Sequence, residues 1–218
     1  MAITISGSGI VEANIADGAV SSDKLATGID AAKLADGTVT STELQYINSL
    51  SSNAQTQISA AGGGQILQVK QDTLSTTETI SSTTWADLSN LSVSITPSAT
   101  DSDILIMGHI NAGNNTTGNA QFRLRRDSTD ICIGSTASGS RVDATFSAFQ
   151  SDTNSISNCS FAFVDVPGTT SAVQYHFQWR GSDAGAKYVN RSYNDNDAAY
   201  NLRGNSTIIV LEISGGLS

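Results

Sequence analysis

The stretch AVQYHFQW, Ala172–Trp179, decides the fold. Its large apolar side chains, Tyr175, Phe177 and Trp179, fall on every second residue, with His and Gln between them. A period of two puts one set on one face of an extended chain, so the stretch reads as a strand with one buried face. Working outward, alternation or β-branched apolar runs recur at Gln65–Lys70, Leu91–Thr96, Asp103–Ala112, Gln121–Arg126, Asp130–Gly134, Ile156–Val166 and Thr207–Ser214. Turn chemistry separates them, at Thr96-Pro97-Ser98, Asn111 to Gly118, Val166-Pro167-Gly168 and Arg180-Gly181-Ser182. Several strands at short spacing with no long helical pattern predict an antiparallel β-sandwich, jelly-roll-like, over residues 65–218. The expected core is Ile104, Ile106, Phe161, Phe163, Tyr175, Phe177 and Trp179, with Ile209, Leu211 and Ile213 from the final strand. The run TIIVLEI is apolar enough to place that strand mid-sheet.

Upstream, residues 42–64 read TELQYINSLSSNAQTQISAAGGG. Leu44, Ile47, Ala54, Ile58 and Ala61 form an apolar seam at coiled-coil spacing, with Ser51 where one apolar residue is missing. Ser51 and Ser52 are also good N-caps, so the stretch divides equally well into two short helices, near 43–50 and 52–61. At most about 20 residues, or roughly 30 Å, it is marginal as a lone helix. Its stripe needs a partner, either sister copies or its own β block. Gly62–Gly64 then end it and supply a hinge.

Residues 1–41 contain a repeat. IADGAVSSDKL from Ile15 returns as LADGTVTSTEL from Leu34. Each unit offers an Asp-Gly turn and a few apolar anchors: Ile15, Val20 and Leu25, then Leu34 and Val39. Units of this size cannot bury their anchors alone and need stacked copies or a host surface. A polar linker is the plain alternative.

Of the 218 residues only 14% are charged, and the net charge is −9. That balance argues against nucleic acid, since phosphates would be repelled and the densest basic cluster is Arg123, Arg125 and Arg126. On a strand Arg123 and Arg125 share a face, which reads as a solvated face. No run reaches the length a membrane helix needs, so no membrane insertion is expected. The opening MAITISGSGIVEAN lacks a basic segment followed by an apolar one, so no secretory signal is expected. Cys132 and Cys159 make neither a disulfide framework nor a metal motif and read as buried free thiols.

Catalytic motifs are missing: there is no nucleophile elbow, P-loop or zinc-protease signature. His109 and His176 sit in apolar strands and read as satisfied core or edge residues. Asp165 and Glu212 are strand carboxylates that the sequence does not bring together as a hydrolytic pair. No catalytic residue, metal or cofactor is expected. The segment Tyr193 to Asn201, YNDNDAAYN, has the composition sugar sites use, with Tyr193, Asp195, Asp197 and Tyr200 as candidate glycan contacts. The two aspartates could hold a calcium ion, but the EF-hand spacing is absent. The competing reading is a polar surface loop with both tyrosines packed inward.

The chain also resembles a family. The Ala-Asp-Gly-Ala/Thr-Val repeats resemble the N-terminal arms of tailed-phage fibre and appendage proteins. Glu43–Ile47 followed by Ser52–Ile58 is similar to their stalk segment. Ile66–Val69, Thr84–Leu88, Leu91–Pro97 and Ile104–Ile106 are similar to the openings of small fibre heads. The resemblance implies a homotrimer at the virion surface, other virion proteins bound through residues 1–41, and a distal head available to host surface glycans. The short shaft departs from long tail fibres and leaves a head fibre or a capsid decoration (cement) protein open. A cellular carbohydrate-binding module is the rival from another class.

Overall fold

Alternation of buried and exposed side chains builds both sheets. The structure, a computed structural model, describes residues 40, 42–43, 46, 53–61, 64–115, 117–135 and 138–215. The arm anchors Ile15, Val20, Leu25, Leu34 and Val39 lie outside these residues, as do Leu44, Ile47, Ser51, Ser52 and the side chain of Ala61. The chain divides into two units, Met1–Ala61 and Gly62–Ser218.

In the first unit, Thr42, Glu43 and Tyr46 are helical. Thr40 opens this turn as a capping box: its N–H donates to Glu43 Oε2 at 2.8 Å, and the Glu43 N–H donates to Thr40 Oγ1 at 3.2 Å. A second helix, α1, spans Ala54–Ala61. Asn53 caps it, its Oδ1 accepting from Thr56 N at 3.4 Å and its carbonyl from Gln57 N at 3.2 Å. Of the seam, Ala54 is half-buried and Ile58 is 66% exposed.

In the second unit, eleven strands among the described residues form two antiparallel sheets. The larger sheet takes β1 (Ile66–Leu74), β2 (Glu78–Ile80), β4 (Asp103–Asn114), β8 (Ser157–Asp165), β10 (Lys187–Val189) and β11 (Ser206–Ile213). Its main path runs β1-β11-β4-β8, with β10 and β2 continuing past the end of β11. The smaller sheet takes β3 (Ala86–Ile95), β5 (Ala120–Arg126), β6 (Thr129–Ile131), β7 (Phe146–Ala148) and β9 (Val173–Gly181), in the order β3-β9-β5, with β6 and β7 sharing the far edge of β5. The long strands β1, β3, β4, β5, β8, β9 and β11 alternate between the sheets in chain order. That is the jelly-roll path, and the expected sandwich is what the chain forms.

All eight expected strands are present with shifted ends, and β11 does lie between β1 and β4. The strands not foreseen, β2, β7 and β10, are three residues each, too short for a period of two to register.

The core runs from Leu74 to Val210 and includes Trp179, with Tyr175, Phe122 and Phe177 its largest fully buried side chains. Phe122 stacks on Trp179 at 6.0 Å, and Phe161 meets Phe177 edge-on at 5.1 Å. Phe161 and Phe163 are half-buried against this core. The final strand corrects the expectation: Ile208 and Val210 point inward, whereas Ile209 and Leu211 point out and are half-buried. The reason is Glu212, 1% exposed and on the inward face. Because neighbours alternate, burying Glu212 turns Leu211 and Ile209 outward.

Two polar clusters line one inward row of the larger sheet, Gln68–Glu212–Ile104–Asp165. Glu212 Oε1 accepts from Ser98 N (2.6 Å), Ser98 Oγ (2.6 Å) and Ser102 Oγ (2.7 Å), and Oε2 accepts from Gln68 Nε2 (2.5 Å). Asp165 accepts from the Tyr175 hydroxyl at 2.6 Å and from Arg126 Nη1 at 2.8 Å, joining β8 to β9 and β5 across the sandwich.

Gly108 on β4 faces the β11 backbone with no room for a side chain. A Cβ there would lie 2.0 Å from the Thr207 carbonyl oxygen. Gly108→Ala is therefore expected to lower stability by roughly 3 kcal/mol through backbone displacement, checked by urea unfolding.

Candidate functional site

Loops at the β10 end of the larger sheet carry the sequence-predicted glycan residues. Asn190 starts this region in the left-handed conformation, φ +64°, which Asn tolerates. Its buried amide donates to the carbonyls of Leu74 (2.7 Å) and Thr76 (2.9 Å), and its Oδ1 accepts from Ser206 Oγ (2.7 Å). The loop that follows is closed by an antiparallel bridge between Arg191 and Arg203. Inside it, buried Ser192 donates to the Asn194 carbonyl at 2.6 Å. Asn194 Nδ2 reaches Thr153 Oγ1 and Asn154 Oδ1, each at 2.9 Å, so a neighbouring loop buttresses this one. Asn201 closes the tip, donating through Nδ2 to the Asn196 carbonyl at 3.0 Å.

On this frame Tyr193 meets Tyr188 edge-on, centroids 5.8 Å apart, and the Arg191 guanidinium lies 3.9 Å from the Tyr188 ring centroid. Asp195 Oδ2 accepts from Arg191 Nη1 at 2.9 Å and Arg203 Nη2 at 2.6 Å. Those two guanidiniums occupy the carboxylate that calcium would have needed. Among the described residues no group of acidic, His or Cys side chains is arranged to hold a metal. Asp197 is exposed. Tyr193 is 37% and Tyr200 63% exposed, so the reading that packs both rings inward is corrected. The site thus offers aromatic faces, a free carboxylate and amide groups on a hydrogen-bonded loop. Stacking and hydrogen bonding are what it can do chemically.

The other candidates are placed as follows. His109 and His176 both point outward rather than into the core. His176 Nε2 stands 3.6 Å from Asp87 Oδ1, and its Nδ1 is buried without a hydrogen-bond partner among the described residues. Burial pushes its pKa down, and Asp87 only partly opposes that. Arg123 and Arg125 share the outer face of the smaller sheet, as read, and Asp130 pairs with both, at 2.6 and 2.8 Å. Asp165 and Glu212 lie in one row with Ile104 between them, each committed to its own hydrogen bonds. Cys132 and Cys159 are free and half-buried, less enclosed than expected, and burial raises both thiol pKa values.

Sequence reasoning missed Lys187, which is fully buried on β10. Its Nζ donates to Asp183 Oδ1 (2.6 Å) and the Gly185 carbonyl (2.8 Å). That ammonium, with the Gly185 N–H, holds the Asp183 carboxyl below the usual carboxylate range. The spacing Asp183-x-x-x-Lys187 was the one available signal.

No protein-family model and no curated protein matches this sequence. Among solved structures the chain is similar to one described as "Structure of infectious bursal disease virus Gt strain", at 11% identity and a TM-score of 0.31. The match covers 68% of this chain and 38% of that one. It is also similar to a chain described as "Structure of infectious bursal disease virus Gx strain", at 12% identity and a TM-score of 0.28, covering 69% and 39%. The chain therefore spans less than two fifths of the length of either neighbour, and a likeness at these TM-scores carries no argument about function.

Proposed function

We propose that the chain is a non-catalytic structural protein of a virion. In this reading residues 1–41 dock on the particle, the helical segment joins three copies, and the jelly-roll unit is displayed as an appendage head. The supporting observation is the division of the chain at Ala61. Among the described residues the β unit fills its core from Leu74 to Val210. Attachment is the role proposed for the repeated anchors upstream. A small unit that closes its own sandwich behind a repetitive arm is the form expected of a connector.

The test removes residues 1–41. Particles assembled with the truncated chain should carry none of it, while circular dichroism still reports a folded β unit. Truncated chain found on particles at full occupancy would sink the docking role. A cement protein, the second reading, predicts instead that particles lacking the chain break at lower temperature.

The exposed loop supports a finer proposal, that the head binds a surface glycan through Tyr193, Asp197 and Tyr200. Tyr200→Ala should weaken glycan binding at least about tenfold, the loss of a single aromatic anchor. Titration calorimetry with host polysaccharide checks this. Equal binding by Tyr200→Ala and the parent chain would remove the loop from the account.

A further inference from the structure

The two outer faces of the sandwich differ in kind. On the smaller sheet the outward positions include Asp87, Arg123, Arg125, Asp130 and His176, tied into ion pairs. On the larger sheet three outward rows carry no Asp, Glu, Lys or Arg. The first is apolar from edge to edge, Val69–Leu211–Leu105–Val164. The second is Gln71–Ile209–Met107–Ala162, and the third, Thr73–Thr207–His109–Ser160, is rich in hydroxyls. Val69 is 56% and Val164 41% exposed, and Ile66 (58%) and Val166 (47%) extend the band at its two edges. Single exposed apolar residues mean little, but a contiguous band marks a contact surface. Depletion of charge is likewise the mark of an interface centre.

We infer that this face is where a second copy of the chain packs. Charge selects the occupant. Copies carrying −9 each repel wherever their acidic surfaces meet. Across these rows they meet without apposing like charges. A strongly basic or acidic partner would find no counter-charge there. The third row complements itself, because the hydroxyls of Thr73, Thr207 and Ser160 both donate and accept. The band runs across four strands rather than along a groove, which suits a second broad face and not a single bound peptide. Ile209 and Leu105, on the two central strands, then meet their counterparts on the neighbouring copy. This inference rests on the β unit alone and needs neither the arm nor the helical segment.

The test uses the full chain with one added cysteine under a mild oxidant. Ile209→Cys places a thiol at the centre of the face. Ser94→Cys places one on the exposed outer face of the smaller sheet as the control. Ile209→Cys should give at least ten times more disulfide-linked two-chain species than Ser94→Cys. Leu105→Cys, on the adjacent strand, should do the same and covers a folding failure of the first variant. Equal yields from the two faces would show copies tethered elsewhere, and would overturn this inference while leaving the proposed assembly standing. No cross-linked species from either central position would overturn it as well.

Discussion

Asp165→Ala is expected to lower the unfolding free energy by about 3–5 kcal/mol, the usual loss when one partner of a buried ion pair is removed. The Asp165 side chain is 8% exposed and that of Arg126 23%. Truncation leaves the guanidinium inside the sandwich without its carboxylate. It also strips the acceptor from the hydroxyl of Tyr175, a residue with no exposed surface. In the parent chain burial and the bond to Asp165 both push the Tyr175 pKa up, so the hydroxyl stays protonated as the donor to that carboxylate. The three residues come from β8, β5 and β9, so the loss falls on the contact between the sheets. Adding Arg126→Met to Asp165→Ala should cost little more, since the stranded charge is then gone. Guanidinium unfolding of the two single variants and the double variant checks this through a mutant cycle. Additive losses would show that the pair is not coupled.

Glu212→Gln is expected to cost roughly 3 kcal/mol at neutral pH, and the cost should vanish in acid. Burial alone would push this carboxyl up. It is outweighed by the bonds from the Ser98 hydroxyl, the Gln68 amide, the Ser98 N–H and the Ser102 hydroxyl, which hold the pKa at about 2. The depressed value gives the sign. The contribution is fully present above the ordinary carboxylate pKa of about 4.5. It drains away as pH falls toward about 2, where the folded-state group also takes up its proton. A drop of about two and a half pKa units corresponds to the stated loss. Glutamine keeps one acceptor for Ser98 but sets an NH₂ against the Gln68 NH₂. Urea melts of both chains from pH 7 to pH 2 should converge at the acid end. A constant difference over that range would contradict the assignment.

The same residue explains where sequence reading succeeded and where it turned over. The strand Val173–Gly181 alternates apolar residues with His, Gln and Arg, so period two fixed its buried face. The strand Ser206–Ile213 has four consecutive apolar residues, Ile208 to Leu211, and then Glu212, so the glutamate was the main mark of parity. Period two counted on Ile209, Leu211 and Ile213 put Ile209 and Leu211 inside. The hydrogen-bond donors that make burial of Glu212 favourable come from Ser98 and Ser102, more than a hundred positions away in the chain. Pairing over that distance is invisible to a local pattern. The exposed band on the larger sheet stayed hidden for the same reason. At the loop, composition picked out Tyr193, Asp195, Asp197 and Tyr200. It could not foresee that Arg191 and Arg203 would claim Asp195, because that contact depends on the bridge closing the loop.

The claim that apolar surface outside the sandwich core is sheltered between sister chains is tested most directly by the native mass of the full chain. Native mass spectrometry at micromolar concentration should give three times the 22.6 kDa of one chain. A monodisperse species at 22.6 kDa would contradict it.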